Sequence, residues 1–271
     1  MEWFWHSADV ELRGVALVIH GLNLKPACMS PVISALNESG IDCLRLSLKG
    51  HGDNFRQREG LDATQSRLED FKGVSYSLWF QETLTAYSEA RQNASEKRLP
   101  LFLVGFSYGG LIGLDLMAAR PDVAFDRALL FAPALSLHGW DYAVRLFGPF
   151  PRMVLPTLAP AGYPANPGTP IAGYNALFET LDHFETHIGP QINIPTLVII
   201  DPGDELVSFD GLKRLAQERH LDQWRFFPVH RSRSLLHGIL RHIIIDETST
   251  GREAWTAIEN AMAAHLLKDP L

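Results

Sequence analysis

Gly105-Phe106-Ser107-Tyr108-Gly109 is a run whose residue types and spacing could do chemistry. It has the form G-x-S-x-G, in which a strand turns sharply into a helix and leaves a serine at the strained point of the turn. Glycine on both flanks removes side chains that would collide there. A serine so placed can attack a carbonyl carbon if a base takes its proton and hydrogen-bond donors stabilise the oxyanion. The pattern alone is weak, because ordinary Gly and Ser usage produces it by chance in about one chain in ten of this length. Its context is stronger. Leu101–Val104 reads as a buried strand before it, and Gly110–Ala119 as a helix after it.

The remaining parts of such a site have candidates elsewhere in the chain. One oxyanion donor is the backbone N–H of Tyr108, directly after the serine. The other is expected at Leu22, in the loop Val18-Ile-His-Gly-Leu-Asn23 that follows an early buried strand. His20 in that loop reads as a structural brace. Gly50-His51-Gly52 reads as a structural turn, with no nearby cluster that would make it a metal loop. An acid is needed to orient and stabilise the base. Asp201, Asp204 and Glu205 all follow the apolar run Thr196–Ile200. Asp201 lies so close to the strand that it reads as a turn former, which favours Asp204 and leaves Glu205 as a solvated carboxylate. The base is expected after the acid in chain order. His230, His237 and His242 all qualify, and spacing does not choose among them. Asp115, two turns into the helix after Ser107, reads as a packing residue.

These residues need a scaffold. Short apolar runs recur at Val15–Ile19, Asp42–Ser47, Leu101–Val104, Ala128–Phe131, Thr196–Ile200 and Trp224–Phe227. Most are continuous rather than alternating, as in parallel strands covered on both faces. Helical stretches are expected at Pro26–Ser39, Tyr76–Ser95, Tyr108–Ala119, Phe209–His220 and Gly251–Leu267. Alternation of this kind gives a mostly parallel α/β sheet with helices on both faces. Between Phe131 and Ile194 the alternation is interrupted by a Pro- and Gly-rich connection, with short helices expected at Trp140–Phe147 and Tyr174–His187. A connection this long suggests a functional insertion. Residues 1–134 and 191–271 are therefore expected to form the core, and residues 135–190 a cap. Tyr142, Phe147, Phe150, Tyr174, Leu177 and Phe178 are among the residues that could line an apolar pocket there.

The bulk composition narrows the classes. The 271 residues are 46% hydrophobic and 20% charged, which suits a globular enzyme with a large core. A net charge of −7 and the absence of a basic run argue against nucleic-acid binding. Two cysteines, Cys28 and Cys43, do not make a disulfide framework, and no paired Cys/His spacing suggests a metal. The N-terminal Met1–His6 lacks the pattern of a signal peptide, and no apolar run is long enough to span a bilayer. The expectation is a cytoplasmic protein. The sequence leaves its oligomeric state open.

From Val15 onward the chain resembles the monoacylglycerol lipase/lysophospholipase branch of the α/β-hydrolase superfamily. The residues that carry the resemblance are His20-Gly21, Gly50-His51-Gly52-Asp53, Gly105-Phe-Ser-Tyr-Gly109 and Asp204-Glu-Leu-Val207. In that branch the catalytic histidine is typically followed by small apolar residues, with an acidic residue five positions on. His242-Ile-Ile-Ile-Asp-Glu247 fits this pattern, and His237-Gly-Ile-Leu-Arg-His242 does not. The resemblance thus implies an α/β-hydrolase fold and a Ser107–His242–Asp204 triad, with oxyanion donors at Leu22 and Tyr108. It implies no cofactor or metal, and a small-molecule or lipid-like carboxylic ester as substrate. The chain departs from the branch in three places. The stretch before Val15 is short, so that early antiparallel strands are reduced. Asp201 stands where glycine is common, and Arg231–Ser234 is longer and more polar than expected. Two alternatives carry different consequences: hydrolysis of a non-ester bond on the same fold, or a non-catalytic ligand-binding role.

Overall fold

The computed structural model describes residues 1–157, 159–230 and 240–267. Its strands are β1 (Glu2–Phe4), β2 (Gly14–Ile19), β3 (Ile41–Leu46), β4 (Leu101–Phe106), β5 (Arg127–Phe131), β6 (Val154–Pro156), β7 (Gly168–Pro170), β8 (Thr196–Ile200) and β9 (Trp224–Pro228). Its α-helices are α1 (Ser30–Glu38), α2 (Ala63–Phe71), α3 (Tyr76–Lys97), α4 (Tyr108–Ala119), α5 (Ile171–His187), α6 (Phe209–Glu218), α7 (Glu247–Thr250) and α8 (Arg252–Leu266).

Seven strands form one sheet in the order β1-β3-β2-β4-β5-β8-β9, and β6 pairs with β7 in a separate antiparallel ribbon. Within the large sheet every pairing is parallel except β1 with β3. Every residue of β2, β4 and β8 is buried. That burial on both faces is why those segments read as unbroken apolar runs. The edge strand β9 is only partly covered, and its Arg225 faces solvent. The antiparallel contribution before β2 is three residues long, in keeping with the short N-terminal stretch.

Helix α4 is buried from Tyr108 through Met117, so it is covered all round rather than amphipathic. It lies between the sheet and helix α5, where Tyr108 Oη and Thr180 Oγ1 are 3.0 Å apart. Helix α5 starts three residues before the expected Tyr174, and its apolar face belongs to the main core. Leu177 and Phe178 pack there, whereas Phe147 and Phe150 are exposed to solvent. The expected short helix near Trp140–Phe147 is a 3-10 helix over Gly139–Phe147. Helix α2 was not anticipated. Its sequence sign is Asp62 followed three residues later by Gln65, which form a reciprocal capping box.

Two buried histidines hold the loops beyond β2 and β3. His20 Nε2 accepts the Leu48 N–H at 3.1 Å, and His20 Nδ1 donates to the Gly21 carbonyl at 2.8 Å. His51 Nε2 accepts the Asn23 N–H at 3.0 Å. Both rings must be neutral to accept in this way. Burial pushes His20 down to about 4 and His51 well below its ordinary range.

A histidine with a lowered folded value binds its proton more readily when unfolded, so its stabilisation is complete above 6.5 and is lost on acidification toward about 4. For His20 alone the loss amounts to about 3 kcal/mol. Urea unfolding from pH 7.5 down to 4 is expected to show a falling midpoint across that window, with a shallower dependence in His20→Gln.

Candidate active site

The candidate site is built at the carboxyl ends of the parallel strands, where loops from β2, β4 and β8 meet. Ser107 stands between β4 and α4 with φ +52° and ψ −116°, a region that side chains avoid. Its N–H donates to the Phe131 carbonyl at 2.8 Å, and its carbonyl accepts from Ala134 at 3.1 Å. These bonds fix the strained residue to the neighbouring strand. The glycines around it permit the close approach. A Cβ at Gly109 would lie 2.1 Å from the Ile19 carbonyl oxygen, and one at Gly105 would lie 2.5 Å from Gly110 Cα.

His242 joins Ser107 to Asp204. Its Nε2 is 2.8 Å from Ser107 Oγ, and its Nδ1 is 2.8 Å from Asp204 Oδ2. All three side chains are buried, with the serine 8% exposed. The Phe106 ring lies 5.0 Å from the imidazole. Asp204 Oδ1 accepts from the N–H groups of Leu206 and Val207 at 2.8 and 2.9 Å. Burial opposes ionisation of Asp204, but the His242 ring and these N–H groups outweigh it and hold the carboxyl below the usual carboxylate range. His230 lies exposed beyond β9, and His237 lies outside the described residues, as does the Arg231–Ser234 stretch.

The other two acidic candidates play local parts. Asp201 Oδ1 accepts the Gly203 N–H at 2.8 Å, as a turn former does. Glu205 is not the simple solvated carboxylate expected. Its Oε2 accepts the N–H groups of Arg241 and His242 at 2.6 and 3.2 Å, so it anchors the backbone that carries His242. Nothing local in the sequence separates Glu205 from Asp204. Their roles diverge because adjacent side chains leave the loop in different directions.

The two expected oxyanion donors border the serine. Tyr108 is the first residue of α4, where a backbone N–H has no partner within the helix. Leu22 follows Gly21, whose added Cβ would lie 3.2 Å from Ser107 Cβ. Neither N–H finds an acceptor among the described residues.

Asp115 is more than a packing residue. It is fully buried, accepts from Tyr76 Oη at 2.9 Å and lies 2.7 Å from His183 Nδ1. Burial pushes its carboxyl upward despite those partners. A further carboxylate, Asp141, went unnoticed in the sequence. Its Oδ2 is buried with no hydrogen-bond partner among the described residues, and burial pushes the group up to about 6, with Asp204 adding to the effect. Among the described residues no group of three or more His, Cys, Asp or Glu side chains could hold a metal, and no helix is long and apolar enough to cross a membrane.

The segment after β5 is fastened to both sides of the site. Leu137 bridges Val207, and His138 Nε2 lies 3.0 Å from the Asp204 carbonyl oxygen. Farther on, Leu24 bridges Pro164, and Lys25 N–H donates to the Tyr163 carbonyl at 2.8 Å.

The chain is 23% identical over 243 residues to the AB hydrolase superfamily protein YisY of Bacillus subtilis (strain 168), covering 80% of this chain and 83% of that protein. Its structure superposes on a soluble variant of the monoglyceride lipase of Saccharomyces cerevisiae with a TM-score of 0.77 at 14% identity, covering 98% of this chain and 90% of the lipase. It also superposes on a structure from the metagenome-derived lipolytic pair LipS and LipT with a TM-score of 0.71 at 20% identity, covering 99% and 98%. At such identities the structural likeness establishes the α/β-hydrolase fold. A family profile described as Hydrolase_4, serine aminopeptidase S33, matches residues 10–175, more than half of the chain. The protein is an α/β-hydrolase and belongs to that Hydrolase_4 (S33) family.

Proposed function

We propose that the protein is a serine hydrolase of carboxylic esters, with Ser107 as nucleophile, His242 as general base and Asp204 as the acid that orients it. The observation that carries this reading is the continuous chain of contacts from Ser107 Oγ through both ring nitrogens of His242 to Asp204. His242 Nε2 takes the Ser107 proton as Oγ attacks the ester carbonyl carbon. The tetrahedral oxyanion is received by the N–H groups of Leu22 and Tyr108. Collapse expels the alcohol, which takes the proton from His242, and leaves an acyl group on Ser107. A water molecule, deprotonated by the same imidazole, then releases the carboxylic acid and restores the serine. Asp204 stays ionised throughout and stabilises the imidazolium. No step requires a cofactor.

The substrate class we propose is a lipid-like ester such as a monoacylglycerol or lysophospholipid. It is supported by the likeness to a monoglyceride lipase and to lipolytic enzymes. Residues 135–190 would act as a cap over the site, with the apolar face of α5 packed on the core. A second reading, hydrolysis of an amide bond, is favoured by the aminopeptidase description of the family. The Asp141 oxygen, without a hydrogen-bond partner among the described residues, would then have a substrate ammonium to receive.

A series of p-nitrophenyl esters from short to long acyl chains, set beside aminoacyl p-nitroanilides, separates the two readings. Preferred turnover of medium or long esters, abolished in Ser107→Ala, is the expected result. Turnover confined to the anilides would transfer the reading to amide bonds. Asp204→Asn is expected to keep the fold and lower kcat by about four orders of magnitude, by disfavouring the productive tautomer of His242. Stopped-flow or steady-state assays at pH 8 measure this directly, and a loss below about tenfold would remove Asp204 from the proposed role.

A further inference from the structure

Leu22 lies between two pinned peptide groups. On one side the Gly21 carbonyl accepts the Leu24 N–H at 3.1 Å and the His20 Nδ1–H at 2.8 Å. In a trans peptide the Leu22 N–H points opposite to that carbonyl, so fixing one directs the other. On the other side Asn23 adopts φ +54°, a left-handed conformation that asparagine tolerates better than most residues. Its N–H is held by His51 Nε2, and its carbonyl accepts the Ala165 N–H at 2.8 Å.

The Asn23 side chain closes this arrangement across 143 residues of sequence. Its Oδ1 accepts the Asn166 N–H at 2.9 Å and Asn166 Nδ2–H at 3.3 Å, and its Nδ2 donates to the Asn166 carbonyl at 3.2 Å. Asn166 Nδ2 also donates to the Gly50 carbonyl at 2.9 Å, and its Oδ1 accepts from Arg67 Nε at 3.3 Å. Both asparagines are buried, at 5% and 3% exposure. Apolar residues could join two segments by burial alone, but they would not fix an angle. Directional amide bonds do.

We propose that Asn166 is a positioning residue for the oxyanion site, acting through Asn23 to fix the direction of the Leu22 N–H. The inference rests on the reading of Ser107 as nucleophile and Leu22 as oxyanion donor. Such donors stabilise a transition state only when already aimed at the place where charge develops. A residue within the segment after β5 thus completes a loop that follows β2, and the placement of that segment is coupled to the competence of the site.

The test uses Asn166→Ala and Asn23→Gly. Glycine accepts the positive φ, so the second variant removes the side-chain clasp without backbone strain. Each is assayed with the ester that the wild type hydrolyses best. Inhibition is then measured with a trifluoromethyl ketone, which forms a tetrahedral adduct on the serine, and with a non-hydrolysable ether of the same chain length. The expected result is a kcat lowered by about tenfold or more with KM within about twofold. Ketone affinity should fall in parallel and ether affinity should hold. Unchanged kcat in both variants, or equal losses for ketone and ether, overturns the inference. Wild-type turnover that vanishes in Ser107→Ala upholds the underlying reading by itself. Without that turnover the reading and the inference fall together, whereas turnover with unaffected variants removes only the inference.

Discussion

The strained, positive-φ backbone at Ser107 is the constraint around which the rest of this molecule is arranged. A non-glycine residue at φ +52° costs about 1–3 kcal/mol and persists only where its surroundings over-determine it. Here they do. Strand β5 holds the Ser107 N–H, Ala134 holds its carbonyl, and the first turn of α4 presses against the backbone of β2 at a distance only glycine permits. The sharp turn places Oγ at the carboxyl end of the sheet, where the loops after β2 and β8 can reach it.

Environment then assigns different work to chemically identical groups. His20, His51 and His242 are all buried. The first two use a ring nitrogen to accept a backbone N–H, which fixes them as neutral braces. His242 instead has a carboxylate on one nitrogen and a hydroxyl on the other, the arrangement of a proton carrier. The carboxylates divide in the same way. Asp204 is drawn below the usual range by its partners, Asp115 is pushed upward by burial in spite of its own, and Glu205 anchors main chain.

The segment between β5 and α5 is fastened at both flanks of the candidate site. Its early part is bonded to the loop that bears Asp204, and its later part to the loop that bears Leu22. Movement of this segment would therefore be transmitted to the Asp204 loop on one side and to the Leu22 loop on the other. That coupling is a consequence of main-chain bonding and does not depend on which substrate enters.

Local physics explains what could be read without the structure. The turn at Ser107 was legible because its requirements are met within five residues, and the strands because burial on both faces leaves unbroken apolar runs. Asp204 was legible as an acid just past a strand. Helix α2 and the β6–β7 ribbon were not foreseen, since each is short and its apolar pattern is weak. The histidine could not be chosen by spacing, because three lie within fourteen residues after the last strand and only the chain path decides which one meets Ser107. The clasp of Asn23 with Asn166 and the anchoring by Glu205 were invisible for a related reason. A hydrogen bond between residues far apart leaves no periodicity in the sequence. The sequence by itself determined the α/β scaffold and the turn at Ser107, which depend on local conformation and burial. Only the tertiary structure decided how His242 and Asp204 meet Ser107, and that Glu205 and the Asn23–Asn166 clasp brace the loops beside them, because convergence depends on directions that packing sets.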